Sequence, residues 1–249
     1  MRDDRFEDMN FLDEWMVSTA GHANKPENQG NPARGIFVIG TDTEVGKTYV
    51  SCLLVRQLAR RGLRVGVYKP VASGVVGGQP GDAEQLIEAS GLAWPVERVC
   101  PQAFAAPLAP PLAAARVGRR VDEEMLELGA MWWRDRCDVL IVEGAGGGLS
   151  PLSDSTTVLD LAVKLRYPLV VVASHRLGMI NHTLLTIEAV ERRDLTILAL
   201  VVNEVTDMVS SDADALQLVE SLRLLKAFRS NLSCWTVAHG GTALSQTAT

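Results

Sequence analysis

A glycine-rich segment of the chain carries the residue types that bind phosphate groups. The segment from Gly40 to Thr48 reads GTDTEVGKT and follows the β-branched run Ile36–Ile39. Successive backbone N–H groups of such a loop form a concave anion site, and the helix after it adds about half a positive charge at its N-terminus. Lys47 is placed to reach the outer phosphates of a nucleotide, and the Thr48 hydroxyl to bind Mg²⁺. Thr41 stands where the usual spelling has Gly or Ala, so this is a variant phosphate loop.

Charged side chains also follow two other short apolar runs. Lys69 comes directly after Arg64–Tyr68, and Glu143 closes the run Asp138–Val142 before several glycines. Ligands of open α/β sheets bind at the carboxyl ends of strands, so we expect Glu143 beside the phosphate loop. A lysine at a strand end is more often simply solvated, and Asp82, further along the chain, could instead cap a helix. The residues alone leave both alternatives open.

The elements that position these residues alternate from residue 35 onward. Short β-branched runs are separated by segments with helical apolar spacing, which predicts a mostly parallel sheet flanked by helices on both faces. We therefore predict one α/β domain of the P-loop NTPase type over residues 35–249. The predicted strands are Ile36–Ile39, Arg64–Tyr68, Asp138–Val142, Leu169–Ala173, Thr196–Val202 and Ser233–Val237. The predicted helices run from the phosphate loop to Arg61 and over Asp122–Arg136, Thr157–Arg166, Asn181–Arg193 and Asp212–Lys226.

Residues 1–34 differ in composition from the rest of the chain. They hold seven acidic and four basic residues and end in a stretch rich in Gly, Asn, Pro and Gln. Phe6, Met9, Leu12 and Met16 fall near helical spacing, which leaves room for one or two amphipathic turns. We expect an acidic, flexible N-terminal extension that docks loosely at most, and we assign it no chemistry.

Composition argues against several classes of protein. The chain has 249 residues, 47% of them hydrophobic, and a formal net charge of −6, which argues against a surface that attracts nucleic acid. No apolar run approaches the roughly 18 to 20 residues that span a bilayer, and no secretory signal is visible. The cysteines are far apart, without metal-binding spacing, which favours a reducing compartment. We expect a cytoplasmic protein that has neither nucleic acid nor a membrane as its partner.

Four sequence blocks in order resemble one enzyme family. GTDTEVGKT (40–48), YKPVASG (68–74), VEGAGG (142–147) and LGMINHTLLT (177–186) are together similar to dethiobiotin synthetases, and the similarity extends from about Gly35 to Glu204. The resemblance implies ATP-dependent carboxylation and ring closure of 7,8-diaminononanoate (7,8-diaminopelargonate) with CO2 to form dethiobiotin, in biotin biosynthesis. The implied route is a carbamate followed by a carbamic–phosphoric mixed anhydride, with conversion of ATP to ADP and phosphate.

Two other classes of P-loop protein are the alternatives to this cyclo-ligase. A non-catalytic or regulatory ATPase switch related to the partition ATPases would carry a signature lysine at the position of Asp42, and that lysine is absent. A ligase of the amidotransferase type would need a glutaminase domain with a catalytic Cys and His, which neither the length nor the scattered cysteines provide. The ATPase switch is therefore the main alternative hypothesis.

The resemblance also implies a catalytic and nucleotide-binding site. It assigns catalysis to Lys69 and Lys47, because a carbamate that attacks a triphosphate brings like charges together and needs cations. It implies ATP as co-substrate and Mg²⁺ as cofactor, with Thr48, Asp82 and Glu143 as metal ligands. The implied ATP-binding residues are Thr43, Glu44, Val45, Gly46, Lys47, Thr48, Tyr49, Asp82, Glu143, Gly144, Ala145, Gly146, Asn203 and Glu204.

The substrate site is implied by two further segments. Ser73 matches a serine that contacts the substrate, and Gly178, Met179 and Asn181 match a segment that reaches the substrate's carboxylate end across a homodimer interface. Asn181 could equally be a helix N-cap. Similarity fades beyond Glu204, so the segment that lines the nucleotide base is not identified.

Overall fold

The strands fall into one large sheet and one small sheet. The structure, a computed structural model, describes residues 10–19, 34–75, 77, 81–204 and 212–247. Its strands are β1 (Gly35–Gly40), β2 (Val65–Tyr68), β3 (Ala72–Ser73), β4 (Ala103–Phe104), β5 (Val139–Gly147), β6 (Leu169–Ser174), β7 (Ile197–Asn203), β8 (Cys234–Val237) and β9 (Ser245–Gln246). The large sheet has the order β2-β5-β1-β6-β7-β8-β9, parallel throughout except for β9, while β3 and β4 pair separately.

Helices connect these strands. They are α1 (Asn10–Thr19), α2 (Lys47–Arg60), α3 (Gly81–Ser90), α4 (Val96–Val99), α5 (Pro110–Ala115), α6 (Glu123–Met131), α7 (Val158–Leu165), α8 (Met179–Glu191) and α9 (Asp212–Phe228). Every residue of β1 and β6 is buried, so both faces are covered at the centre of the sheet. The prediction of a mostly parallel sheet flanked by helices is confirmed. Within the described ranges no helix is long and apolar enough to cross a membrane.

Local sequence signals set several of the helix boundaries. Thr157 and Asp160 form a reciprocal capping box at the start of α7, and Asp122 caps α6 by accepting the N–H of Met125. Helix α6 ends at Met131 instead of continuing to Arg136 as predicted. The chain beyond it tightens into turns in which the N–H groups of Trp133, Arg134 and Arg136 donate to the carbonyl three residues earlier.

The N-terminal segment departs from its sequence-based expectation where the structure describes it. Instead of a flexible tail, α1 buries Phe11, Leu12 and Trp15 against the core, and the Phe11 ring meets Trp235 edge-on at 5.3 Å. The sequence showed the helical spacing of Leu12 and Met16, but it did not show the surface on which this helix packs, because that surface comes from residues far away in the sequence. Apart from residues 10–19 and 34, that segment lies outside the described residues, and the division at residue 35 remains a prediction.

Candidate active site

The phosphate loop occupies residues 41–46, between β1 and α2, and two glycines fix its shape. A side chain at Gly40 would place its Cβ 2.6 Å from the Asp42 carbonyl. Gly46 has φ +86°, and a Cβ there would lie 1.9 Å from Nδ2 of Asn203. Because Asn203 Nδ2 also donates to the carbonyl of Val45 at 3.1 Å, β7 supports the loop from behind.

Lys47 is the buried cation of this loop. Its side chain folds back so that Nζ donates to the carbonyl oxygen of Asp42 at 3.1 Å. Burial lowers the pKa of Lys47 to about 8, and the negative charge of Glu143 opposes that effect. The ammonium is therefore held at the loop by a neutral carbonyl, which an anionic phosphate oxygen can replace.

A lysine and two carboxylates meet beside the phosphate loop. Lys69 Nζ donates to Glu143 Oε1 at 2.7 Å and to Oδ2 of Asp82. The Thr48 hydroxyl donates to the same Glu143 oxygen at 2.7 Å. These residues come from four places that the sheet brings together: the end of β2, the start of α3, the body of β5 and the start of α2. We refer to Thr48, Lys69, Asp82 and Glu143 as the lysine–carboxylate cluster.

The ionisation of the cluster follows from burial and from its opposite charges. Burial alone would lower the pKa of Lys69, but the adjacent charges of Glu143 and Asp82 raise it above its ordinary value. Burial would raise the pKa of Asp82, but the charge and hydrogen bond of Lys69 and a hydrogen bond from Thr48 hold it below its ordinary value. Lys69 is therefore a cation and Asp82 an anion at neutral pH.

The cluster has the donor set of a magnesium site. Glu143 is fully buried, and its Oε2 has no hydrogen-bond partner among the described residues. A buried carboxylate oxygen is costly unless something binds it, and Mg²⁺ prefers such oxygens together with hydroxyl, water and phosphate ligands. The residues present therefore fit Mg²⁺.

The glycines after Glu143 also have local structural reasons. A Cβ at Gly144 would lie 2.7 Å from a methyl of Val158, and Gly146 has φ +76° with Ser150 Oγ at 2.4 Å from the position of its Cβ. Packing against the following loop is therefore enough to require these glycines, whether or not a ligand also approaches them closely. Ala145, between them, is partly exposed.

The remaining residues expected to bind ATP lie in the loop, in the first turn of α2 and directly after β7. Thr43 and Glu44 are exposed at its tip, and Glu44 has a left-handed backbone with φ +55°. The Tyr49 hydroxyl donates to the carbonyl of Gly241, which brings the C-terminal segment against α2. Glu204 follows β7, and its N–H donates to Val237 at 3.0 Å. The predicted strand Ser233–Val237 is confirmed as β8, which pairs with β7 next to Asn203 and Glu204, but it is followed by β9 and is not the last strand.

The predicted substrate residues lie on two separate segments. Ser73 is half-buried in β3, paired in register with Phe104 of β4. Asn181 is exposed in the first turn of α8. The alternative role of Asn181 as helix N-cap is wrong, because Gly178 takes that position with φ +91°. Met179, at the start of α8, is buried. In the described chain neither Ser73 nor Asn181 shares a hydrogen bond with the lysine–carboxylate cluster.

An ion pair at the same edge of the sheet escaped the sequence analysis. Arg176, after β6, places Nη2 at 2.5 Å from Oδ2 of Asp42 in the phosphate loop. No role was assigned to either residue from the sequence. Asp42 stands where partition ATPases carry a lysine, and Arg176 lies just before the block that begins at Leu177. The available signal was the position of both residues directly after neighbouring parallel strands.

Comparison with known proteins identifies the family. A family model described as an AAA domain matches residues 34–231. The ATP-dependent dethiobiotin synthetase BioD of Anaeromyxobacter dehalogenans is 51% identical over 170 residues, which cover 68% of this chain and 76% of that protein. The chain belongs to the ATP-dependent dethiobiotin synthetase family. The dethiobiotin synthetase of Rhodopirellula baltica is 42% identical over 186 residues, covering 69% of this chain and 73% of its own length.

Family membership confirms what the four sequence blocks indicated. Dethiobiotin synthetases are ATP-dependent ligases, so the enzyme class expected from the sequence is confirmed, and the ATPase switch is not favoured. A solved structure of pNOB8 ParA bound to nonspecific DNA is similar with a TM-score of 0.50 and 13% identity, covering 80% of this chain and 75% of the other. That likeness shows the fold alone, and it agrees with the mostly parallel sheet flanked by helices that the sequence predicts for this chain.

Proposed function

We propose that this protein joins CO2 to 7,8-diaminononanoate and closes the ureido ring of dethiobiotin, converting ATP to ADP and phosphate. The observation that carries the proposal is the lysine–carboxylate cluster beside the phosphate loop. Lys69 of this cluster and Lys47 of the phosphate loop are both buried lysines at this edge of the sheet. In the proposed function their ammonium groups lie where the triphosphate meets the substrate. Such a site suits a reaction between two anions.

The proposed reaction proceeds in three bond-forming steps. One amine of the substrate adds to CO2 and loses a proton to give a carbamate. A carbamate oxygen then attacks the γ-phosphorus of ATP, the bond to the β-phosphate oxygen breaks, and ADP leaves. The second amine attacks the carbonyl carbon of this mixed anhydride, loses a proton and expels phosphate as the ring closes.

The two lysines have distinct parts in this chemistry. Lys47 exchanges the Asp42 carbonyl for phosphate oxygens and binds the triphosphate. Lys69 is fixed by Glu143 and Asp82, so its ammonium is oriented before substrate arrives and stabilises charge on the transferring group. Because the charge on Lys69 is favoured by its neighbours, it acts as a cation and not as a base.

Thr48, Asp82 and Glu143 would hold Mg²⁺. When bound, that ion would neutralise phosphate charge and help to orient the triphosphate. Lys47 and Lys69 carry two positive charges, and Asp82 and Glu143 carry two negative charges. The net charge of these four side chains is therefore close to zero. The site then depends on added positive charge to accept a nucleotide of high negative charge.

Substrate and nucleotide would be positioned by the rim of the site. The start of α8 presents a helix N-terminus, which favours an anion such as the substrate's carboxylate, with Gly178, Met179 and Asn181 at that end. Ser73 would contact the substrate near the reacting amines. Asn203 and Glu204 would lie against the adenine base, and Thr43, Glu44, Val45, Gly46, Tyr49, Gly144, Ala145 and Gly146 would complete the ATP site.

The assembly and location of the protein are also proposals. The resemblance implies a homodimer in which the partner subunit completes the substrate site, and the exposed Asn181 is available for such an interface. Cytoplasmic location and the lack of nucleic-acid or membrane partners remain as predicted from the sequence.

A labelling experiment tests the proposed function. The purified full chain is incubated with ¹⁴C-bicarbonate, 7,8-diaminononanoate, ATP and Mg²⁺, and acid-stable label that co-migrates with dethiobiotin is measured. Acid releases label from a carbamate but not from a closed urea. We expect stable label that requires ATP and is lost in Lys47→Ala but not in Lys164→Ala, which alters an exposed lysine of α7. No stable label, from protein that still binds ATP, would refute the proposal in favour of another substrate or an ATPase switch.

A further inference from the structure

Asp42 is connected to both the nucleotide-binding lysine and the loop after β6. Its Oδ2 accepts Arg176 Nη2 at 2.5 Å, and its carbonyl accepts Lys47 Nζ at 3.1 Å. Its Oδ1 accepts the N–H of Thr43 at 2.7 Å, which fixes the carboxylate in the loop. Any ligand that displaces the carbonyl from Lys47 therefore acts on the residue that holds Arg176.

Arg176 is connected in turn to the start of α8. Its carbonyl accepts the N–H of Met179 at 3.0 Å, and Gly178 between them caps the helix. The two loops also emerge from neighbouring strands, because the Thr41 N–H donates to Val172 of β6 at 2.8 Å. The position of Arg176 thus sets the first turn of α8, where the substrate's carboxylate end is proposed to bind.

A second connection keeps these loops together without the ion pair. The N–H of His175 donates to the carbonyl of Asn203 at 3.0 Å, and Asn203 Nδ2 donates to Val45 at 3.1 Å. Asn203 is buried, whereas the side chains of Arg176 and Asp42 are 50% and 42% exposed. Exposed ion pairs contribute little to folding, so the fold does not account for the presence of this one.

We infer that Asp42 and Arg176 are positioning residues that couple the binding of the ATP triphosphate to the binding of 7,8-diaminononanoate. Triphosphate binding draws Lys47 away from the Asp42 carbonyl, and the carboxylate of Asp42 transmits the change to Arg176 and the start of α8. The inference rests on the proposed function, because it assigns the carboxylate end of that substrate to α8. Coupling of this kind is reciprocal, so each ligand strengthens the binding of the other by the same factor.

Calorimetric titration of the full chain measures this factor. The affinity for 7,8-diaminononanoate is determined in bicarbonate-free buffer, with and without a non-hydrolysable ATP analogue and Mg²⁺. We expect the analogue to tighten diamine binding about tenfold in the unmodified protein and less than about twofold in Asp42→Asn or Arg176→Gln. The double variant loses no more coupling than either single variant, because the two residues act as a unit. Arg176→Lys restores most of the coupling.

A matched control separates coupling from general loss of charge on α8. Arg192→Gln removes an ion pair with Glu188 of the same 2.5 Å length and somewhat greater exposure at the other end of the helix, and it keeps full coupling. Full coupling in Asp42→Asn and Arg176→Gln, or losses that simply add in the double variant, would overturn the inference and leave the proposed function intact. A protein that does not bind the diamine at all would overturn both.

Discussion

Two sets of charged residues lie at the carboxyl edge of the sheet: the lysine–carboxylate cluster and the ion pair of Asp42 and Arg176. They differ most in how far water reaches them. In the lysine–carboxylate cluster the central pair is buried, with Lys69 4% exposed and Glu143 fully buried, while the side chain of Asp82 at its edge is 44% exposed. In the pair of Asp42 and Arg176 about half of each side chain is exposed. Charges interact strongly where water is excluded, whereas water and salt screen an exposed pair. Burial therefore suits the cluster to act on a reacting phosphoryl group, and exposure suits the pair to change with ligand binding.

The two groups also differ in how the backbone fixes them. Glu143 is paired in register with Val38 of β1, so its position follows from the sheet. Asp42 and Arg176 both lie on loops that begin where β1 and β6 end. The comparison predicts that changes in the cluster affect both stability and chemistry, while changes in the pair affect mainly the communication between ligands.

The largest expected effect on stability comes from removing the buried lysine. Lys69→Met leaves Glu143 and Asp82 without their countercharge, so we expect the free energy of unfolding to fall by about 3 to 5 kcal/mol. Lys164→Met is the matched control, because the Lys164 ammonium lies 3.8 Å from an exposed carboxylate of Glu127. The free energy of unfolding of Lys164→Met should fall by less than about 1 kcal/mol. Equal losses in urea titrations of the two variants would contradict the contrast between buried and exposed groups.

The same contrast can be tested on the backbone with two glycines. Gly46 and Gly62 have φ +86° and +81°, but only Gly46 has a neighbour, Asn203, where a Cβ would lie. Gly62→Ala should cost about 1 to 2 kcal/mol for the left-handed conformation alone. Gly46→Ala should cost more and also weaken ATP binding, since the collision displaces the phosphate loop. Thermal melts with and without ATP measure both effects, and similar behaviour of the two variants would refute the role of Asn203 as support.

The smallest expected effect is a pH-dependent one at an exposed carboxylate. Asp138 accepts the N–H of Arg64 at 2.8 Å, and this bond, with the charge of Arg64, holds the pKa of Asp138 below its ordinary 3.8. The stabilisation is complete above the ordinary pKa and is lost as pH falls through the lower pKa of the folded state. Asp138→Asn should therefore be less stable by under about 1 kcal/mol at pH 7. Urea titrations should show that the difference in free energy of unfolding between the two proteins shrinks below pH 3.8. A difference that stays constant with pH would show that it does not come from the ionised Asp138 carboxylate.

Much of the fold was predictable because its signals are local. The strand before the phosphate loop, the cap at Asp122 and the capping box at Thr157 are each specified by a few adjacent residues. Contacts between distant residues were not predictable in this way. The packing of Phe11 on Trp235 depends on a surface that forms only when β8 joins the sheet.

The candidate site shows the same division. Lys47, Thr48, Lys69 and Glu143 each lie in one of the four sequence blocks, and the structure brings them together with Asp82, which lies outside those blocks. The sequence did not reveal that Lys69 bridges both carboxylates, because that depends on side-chain directions from three separate elements. The sequence also left Asn181 as a candidate N-cap of α8, whereas Gly178 occupies that position in the structure. A glycine before a helical run is itself a signal for a cap with left-handed backbone.

The central claim is that the buried ammonium of Lys69 acts on the reaction and does not merely balance charge. The most direct test is the rate of ureido-ring formation by Lys69→Gln at saturating ATP, Mg²⁺ and diamine, under conditions where melting curves show it folded. We predict a fall in kcat of about 10²- to 10³-fold, with the affinity for the ATP analogue much less affected. Lys164→Gln should keep the rate of the unmodified protein. A folded Lys69→Gln that forms the ring at that same rate would contradict the account.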